Sequence, residues 1–170
     1  MSLRDNDGHQ FGRLPATDDE REVAGRPSRA AVVDYWAERY GIPRATWEPY
    51  SFWERGSGKI WAFQGELDSP ARIQGLGIPI LRTDGEHWKP RTNAAQRFGG
   101  LATDCVIDLS AGEAEAFLAG HDQDLPHWDG DWGYLVVTHE LAGEREPVGV
   151  GLYLHGELRS QMPKGRQRDL

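Results

Sequence analysis

The sequence predicts an α+β protein made of two small units, and three local patterns lead to this fold class. An apolar stripe at helical spacing follows Ser28 and stops at Gly41, which indicates a capped helix. Strand-like runs flank the turn Gly56-Ser57-Gly58, which indicates a β-hairpin. Residues 147–154 alternate apolar side chains with glycine and meet a His155-Gly156 turn, which indicates a second hairpin.

The first predicted unit is a small α/β unit that follows a polar lead-in. Residues 1–27 hold few large apolar side chains, so we expect them to be extended or disordered and residues 1–20 to be dispensable for stability. Residues 28–103 form the unit, which opens with the helix at residues 28–40. Its other predicted elements are strands at residues 50–55, 59–65, 72–74 and 78–82 and a short helix near residues 93–98.

The second predicted unit covers residues 104–170. A strand at residues 104–109 leads to a helix that begins at Ser110, because Glu113 completes a capping box, and the helix ends at Gly120. A polar loop, a strand at residues 132–139, a turn and the C-terminal hairpin follow. Gly149 and Gly151 in that hairpin carry no side chain, so we expect one face of the strand to be open to a strand, a helix or a ligand.

The chain is acidic, and few of its basic residues are lysine. It has 27 Asp and Glu against 19 Lys and Arg, a net charge of −8, and its only lysines are Lys59, Lys89 and Lys164. This bias resembles proteins of salt-loving archaea. At molar salt the Debye length falls to about 3 Å, so an acidic surface would hardly repel RNA. Binding would then depend on arginine and aromatic contacts more than on lysine.

Composition also limits the compartment and the covalent chemistry. The chain has no long apolar run and its N-terminus lacks the apolar core of a signal peptide, so we expect a cytoplasmic protein without membrane contact. A single cysteine, Cys105, excludes an internal disulfide. We interpret it as a structural residue, because no nucleotide-binding glycine loop accompanies it.

Two other stretches suggest chemistry, and a plainer interpretation is preferred for each. Residues 55–60 suggest a phosphate loop, but Trp53 and Ile60 stand where glycine and Ser or Thr are required, so we predict a hairpin turn. Residues 121–131 are rich in histidine and aspartate without the spacing of a calcium or zinc site. We expect a solvated loop, no metal and no cofactor, with a small enzyme using this loop as the weaker alternative.

The C-terminal segment concentrates positive charge. Residues 155–170 hold four cations, Arg159, Lys164, Arg166 and Arg168, against two acidic side chains, a local balance of +2 in a chain of −8. A basic end next to an apolar strand is typical of a phosphate-binding surface. The alternative is a tail whose charge only keeps the protein in solution.

Several motifs occur in an order that resembles the C-terminal region of RNA 5-methylcytosine methyltransferases of the Sun/Fmu type, over residues 28–168. The tail Arg159-Ser160, Pro163-Lys164-Gly165 and Arg166-Gln167 stands where these proteins carry Lys-Asn-x-x-Pro-Lys-Gly-Leu-Arg. The preceding motifs are Tyr40-Gly41-Ile42-Pro43, Phe52-Trp53-Glu54-Arg55, Lys59-Ile60-Trp61, Leu81-Arg82, Lys89-Pro90, Ala94-Ala95-Gln96, Phe98-Gly99 and Asp108-Leu109-Ser110.

The resemblance implies a pre-PUA α/β unit followed by a PUA-like β-barrel that binds RNA. It implies an RNA-binding protein that acts on structured rRNA or tRNA in ribosome biogenesis or RNA modification, with no DNA partner. We expect this protein to be non-catalytic, because the sequence shows no counterpart of the catalytic half of these enzymes. The RNA-binding residues expected on this basis are Arg159, Ser160, Lys164, Gly165, Arg166 and Arg168 at the C-terminal end, with Arg82, Lys89 and Arg91 as a second group.

A different class of function stays open. The chain would instead be a protein-interaction subunit that docks on a separate RNA methyltransferase or assembly factor. RNA titration at matched salt distinguishes the two, because only the first hypothesis requires the isolated protein to bind RNA.

The acidic, lysine-poor composition predicts a stability that depends on salt. Lowering salt from molar to tens of millimolar removes the screening between crowded carboxylates, so the melting temperature should fall. Circular dichroism melts across a salt series measure this. A melting temperature that stays constant would contradict adaptation to high salt.

Overall fold

Two sheets and three α-helices make up the part of the chain that the computed structural model describes, residues 10–73 and 75–167. This mixed content confirms the α+β class. The helices are α1 (Arg29–Tyr40), α2 (Thr92–Phe98) and α3 (Ala111–Leu118). The strands are β1 (Gln10–Arg13), β2 (Tyr50–Arg55), β3 (Lys59–Gln64), β4 (Ala71–Arg72), β5 (Ile78–Arg82), β6 (Lys89–Pro90), β7 (Val106–Leu109), β8 (Gln123–Asp124), β9 (Gly133–Leu141), β10 (Glu144–Leu154) and β11 (Glu157–Ser160). None of the helices in the described ranges is long and apolar enough to cross a lipid bilayer.

The chain forms two compact units. The first contains the described residues up to Glu38 and Pro43–Lys89, and the second contains Arg39–Ile42 and the described residues from Pro90 onward. The division falls at Lys89, whereas the sequence predicts it at residue 103. The reason is that α2 packs against β10, so the helix belongs with the strands that follow it.

The first sheet has the strand order β4-β1-β2-β3-β5-β6. Its strand β1 lies in the segment that the sequence predicts to be a dispensable lead-in. Phe11 of β1 is fully buried between β2 and β4, and Leu14 is buried just after the strand. A four-residue strand with one glycine is too short to produce a periodic signal, and its partners lie far along the chain. The strand predicted at residues 72–74 corresponds to β4, which has only two residues, Ala71–Arg72. Gln74 lies outside the described residues.

Aromatic side chains fill the core of the first unit beside α1. Trp36 of α1 lies 5.9 Å from Trp47, whose ring lies 5.5 Å from Phe52 of β2. Arg29 donates to the carbonyl of Trp47 at 2.7 Å and stacks over Phe52, so this cation serves the fold. The hydroxyl of Ser28 accepts from the amide of Ala31 at 3.0 Å, which confirms the predicted N-cap.

A buried ion pair holds the hairpin of β2 and β3. Glu54 is fully buried, and one of its carboxylate oxygens accepts from Arg26 Nε at 2.9 Å. The other accepts from the amide of Gly58 in the hairpin turn at 2.9 Å. A Cβ at Gly12 would lie 2.6 Å from the Arg26 guanidinium, so glycine at this position of β1 lets the arginine reach Glu54.

The second sheet has the order β7-β9-β10-β11-β8, in which β7 runs parallel to β9 and the other pairs are antiparallel. The capping box of α3 is present as predicted: Ser110 accepts from the amide of Glu113, and Glu113 accepts from the amide of Ser110. The core of the second unit contains Ile107, Leu109, Ala114, Phe117, Leu125, Leu135, Val137, Tyr153, Leu158 and Met162.

The glycines of β10 are approached closely by side chains of a helix and a strand, as the sequence predicts, but the face that they leave is filled by the core and is not exposed. A Cβ at Gly149 would meet Phe117 and Met162 at 3.2 Å, and one at Gly151 would meet Leu158 at 2.5 Å. Both glycines are buried. The missing side chains on β10 therefore make room for large residues of the same unit rather than for a ligand.

Arg26→Ala should lower the free energy of unfolding by about 3 kcal/mol or more, because it leaves the buried Glu54 carboxylate without its cation. Urea denaturation followed by tryptophan fluorescence measures the change. Arg13→Ala is the matched control, since Arg13 pairs with Glu66 on the exposed surface and should cost less than about 1 kcal/mol. Equal losses would show that the buried pair has no special role.

Candidate nucleic-acid interface

The predicted basic end is a short, exposed turn. Lys164, Gly165 and Arg166 form one turn of 3-10 helix directly after Pro163, and all three are exposed. The amide of Arg166 donates to the carbonyl of Pro163 at 2.8 Å, and the amide of Gln167 to that of Lys164 at 3.3 Å. Two cations are therefore presented on a hydrogen-bonded turn rather than on a free tail.

Side chains tie this basic turn, residues 164–166, to the second sheet. Gln96 of α2 donates to the carbonyl of Val148 at 3.0 Å, and its oxygen lies 3.5 Å from Arg166 Nη1. Val148 is the bulged residue of β10, where the pairing with β9 shifts register. Gln167 donates to the carbonyl of Met162 at 3.2 Å. No sequence pattern assigns Gln96 to this site, because its two partners lie 52 and 70 residues further along the chain.

Ser160 and Arg159, both expected to contact RNA, have partners inside the protein. The Ser160 hydroxyl donates to the carbonyl of Phe117 at 2.8 Å and accepts from the amide of Met162 at 3.2 Å. A serine has one hydroxyl proton, so it cannot donate to a phosphate while it holds Phe117. Arg159 donates to the Glu157 carboxylate at 2.8 Å on the exposed side of β11. These hydrogen bonds give Ser160 a structural role inside the second unit. The charge of Arg159 is partly neutralised by Glu157.

The remaining residues that were expected to bind RNA are distributed over both units. Arg82 ends β5 and Lys89 lies in β6, both in the first unit, whereas Arg91 stands at the N-cap of α2 in the second. All three are half-buried, and Arg82 pairs with Asp84 at 3.0 Å. Arg168 lies outside the described residues.

The acidic and histidine-rich loop is part of the second sheet. Gln123 and Asp124 form β8, and the Asp122 carboxylate accepts from the amide of Ser160 at 3.3 Å. Trp128 donates to the carbonyl of Asp131 at 3.0 Å. Within residues 10–73 and 75–167, no group of three or more His, Cys, Asp or Glu side chains is arranged to hold a metal ion.

Cys105 is half-buried at the start of the second unit. Burial raises the pKa of its thiol; Arg39 opposes this shift, and Asp131 and Asp104 add to it. The thiolate, not the thiol, is the nucleophile in cysteine chemistry. A raised pKa therefore disfavours the reactive form of this side chain at neutral pH.

Comparison with known proteins gives two similarities. Residues 1–77 match a family of unknown function, DUF7122. The chain is also similar to the ribosomal RNA small subunit methyltransferase F of Aeromonas salmonicida (strain A449), with 23% identity over 114 residues. That match covers 65% of this chain and 23% of the methyltransferase, so the chain spans well under half of that relative's length. The similarity fits a chain related to part of a Sun/Fmu-type protein.

Ser160→Ala should lower the free energy of unfolding by about 1–2 kcal/mol, because the carbonyl of Phe117 and the amide of Met162 lose their shared partner. Urea denaturation measures this loss. Arg159→Ala is the control on the neighbouring residue and should change stability by less than about 1 kcal/mol, since its ion pair is exposed. A Ser160→Ala variant as stable as the wild type would contradict a packing role.

Proposed function

We propose that the protein is a non-catalytic RNA-binding protein that acts on structured rRNA or tRNA in ribosome biogenesis or RNA modification. The basic turn carries this proposal: Lys164 and Arg166 are exposed on a short, tethered turn in a chain whose net charge is −8. The similarity to a ribosomal RNA methyltransferase supports an RNA-modification context. The second unit would act as a PUA-like module.

The turn has the features that phosphate binding requires. Lysine and arginine supply charge-assisted hydrogen bonds to phosphate oxygens. Gly165 between them has no side chain, and in the described part of the chain only its immediate neighbours lie within 4 Å of where a Cβ would stand, so a backbone phosphate can approach closely. Because the turn is hydrogen-bonded and anchored to β10 through Gln96, little freedom is lost when RNA binds. Contacts of this kind fix the position of the RNA, and sequence would be read by other groups.

A second candidate function is docking on a separate RNA methyltransferase or assembly factor. Three large apolar side chains of the second unit, Leu101, Trp132 and Leu141, are about half-exposed. Trp132 also contacts His155, with the ring centroids 4.7 Å apart. Tryptophan is enriched at protein interfaces, and the fully buried core of an interface is more apolar than the rest of the surface. This candidate requires no affinity of the isolated protein for RNA.

Reversing the charge of the basic turn with Lys164→Glu and Arg166→Glu should weaken RNA binding by about a hundredfold, roughly tenfold per lost charge-assisted contact. The slope of log affinity against log salt should flatten by about one unit per lost phosphate contact. Fluorescence anisotropy with labelled total tRNA and small-subunit rRNA fragments measures both quantities. Melting temperature should fall little, because both side chains are exposed and only the 3.5 Å contact of Arg166 with Gln96 is lost.

The control for this experiment changes the net charge by the same amount elsewhere. Arg21 and Arg44 are exposed in the first unit and already paired, Arg21 with Asp18 and Arg44 with Asp34. Arg21→Glu with Arg44→Glu should affect RNA binding little. An equal effect of the two double reversals would show only diffuse electrostatics, and a wild-type protein that binds no RNA would favour protein docking.

A further inference from the structure

Trp132 is the exposed tryptophan of this chain. The sequence has seven tryptophans, and the other six are buried or half-buried. Trp132 is 52% exposed and stands directly before β9. Gly133, the first residue of β9, has a φ of +109°, which favours glycine and lets the chain bend at this point. The bend presents a large aromatic ring at the end of the second sheet.

Hydrogen bonds hold the backbone on both sides of Gly133. Arg39 Nη2 donates to the carbonyl of Trp132 at 3.3 Å and to that of Tyr134 at 2.6 Å. The Tyr40 hydroxyl also donates to the carbonyl of Tyr134, at 2.9 Å. All of these residues belong to the second unit. The Trp132 ring is therefore carried on a fixed backbone, so little backbone freedom is lost when a ligand contacts it.

A second exposed ring lies against Trp132. Leu154 pairs with Glu157, so His155 and Gly156 form a two-residue turn, and both have the positive φ of a type I′ turn, +53° and +81°. The imidazole of His155 and the indole of Trp132 have centroids 4.7 Å apart, and their planes meet at 65°. Both residues are exposed, so the two rings form a corner that is open to solvent. We call Trp132 and His155 the aromatic corner.

The nitrogen atoms of the aromatic corner are available for hydrogen bonds. Within residues 10–73 and 75–167, neither the indole N–H of Trp132 nor a ring nitrogen of His155 has a hydrogen-bond partner. The indole N–H can only donate, as lysine and arginine do, so it suits a ligand that offers an acceptor. Neutral imidazole supplies one donor and one acceptor. The edge of a nucleobase presents both kinds of group, so it matches these nitrogens.

The aromatic corner is remote from the other exposed large apolar side chains described in the second unit. β9 separates Trp132 from Leu141 by about 26 Å, at about 3.3 Å per residue. Leu101 lies near the Leu141 end, because the carbonyls on either side of it accept from Arg145, whose partner in β9 is Glu140. Trp132 and the two leucines therefore do not form one continuous apolar patch. The corner is a separate, small site that suits one flat group.

The charges around the aromatic corner distinguish a base from a phosphate. Asp129 and Asp131 lie in the loop before Trp132 and are exposed, so a phosphate group would meet like charge here. An unpaired base is uncharged, and such bases stack on aromatic side chains and hydrogen-bond through their edges. We propose that the aromatic corner binds one unpaired RNA base, which stacks on Trp132 and is contacted at its edge by His155.

This inference rests on the proposed function for the identity of the polymer, and it adds a group that reads a base, whereas the basic turn contacts phosphates. Gln96 ties the basic turn to Val148, and His155 follows seven residues later, at the turn that ends β10. Seven residues of strand span about 23 Å. One RNA can extend over this distance, so both surfaces can act on the same molecule.

Trp132→Ala should weaken the binding of labelled small-subunit rRNA fragments with unpaired loops by about tenfold, because a stacked base is lost. The slope of log affinity against log salt should not change, since no phosphate contact is removed. Trp132→Phe should retain most of the affinity, because a benzene ring still stacks. Leu141→Ala is the matched control: it removes an apolar side chain that is 57% exposed in the same unit and should leave RNA affinity unchanged.

A fully paired RNA duplex should bind the wild type and Trp132→Ala equally, and equal losses on loop and duplex RNA would contradict a base site. His155→Ala tests the other ring and should also weaken loop binding, by a smaller factor. Melting temperatures check that each variant folds. If the variants at Lys164 and Arg166 lose affinity while Trp132→Ala binds like Leu141→Ala, the aromatic corner is not a base site and the proposed function stands. If the wild type binds no RNA, both proposals are overturned.

Discussion

The buried carboxylate of Glu54 is the constraint on which the first unit depends. It accepts from Arg26 on one oxygen and from the amide of Gly58 on the other, so it joins the segment before α1 to the turn between β2 and β3. A buried charge without such partners would cost several kcal/mol, and for this reason the three groups must be in place together. By fixing the hairpin turn, Glu54 also fixes the register that aligns Arg55 with Lys59.

Local signals in the sequence predicted the helices and hairpins well. The capping box of Ser110 and Glu113 and the N-cap at Ser28 depend on residues three positions apart, which a sequence shows directly. Strand β1 was not predicted, because the evidence for it is not local. Phe11 is buried through pairing with Ala71 and Arg55, which lie 60 and 44 positions later in the chain. Gly149 and Gly151 show the same limit, since Phe117 and Leu158 fill the space that their missing side chains leave.

Some residues of the candidate site were predictable from local sequence, and others were not. Lys164 and Arg166 were predictable, because Pro163 and the end of an apolar strand indicate an exposed turn. The packing role of Ser160 was not, since its partner Phe117 lies 43 residues away. The pairing of Arg55 with Lys59 follows from the predicted hairpin. The pairing of Lys59 with Arg82 was not predictable, because an extra residue in β5 opposite the Ile60–Trp61 step of β3 shifts the register between these strands.

An acidic chain that binds RNA must place its cations where they act at short range. Charges separated by more than about 8–10 Å are largely screened at physiological salt, so the net charge of −8 matters less than the few side chains in contact with phosphate. The basic turn holds only two cations, Lys164 and Arg166, which limits the affinity that counterion release can supply. The rest must come from stacking and from hydrogen bonds with fixed geometry. Arginine suits both purposes better than lysine, and 16 of the 19 basic residues in this chain are arginine. Carried on a hydrogen-bonded turn, such side chains would bind RNA through geometry more than through total charge.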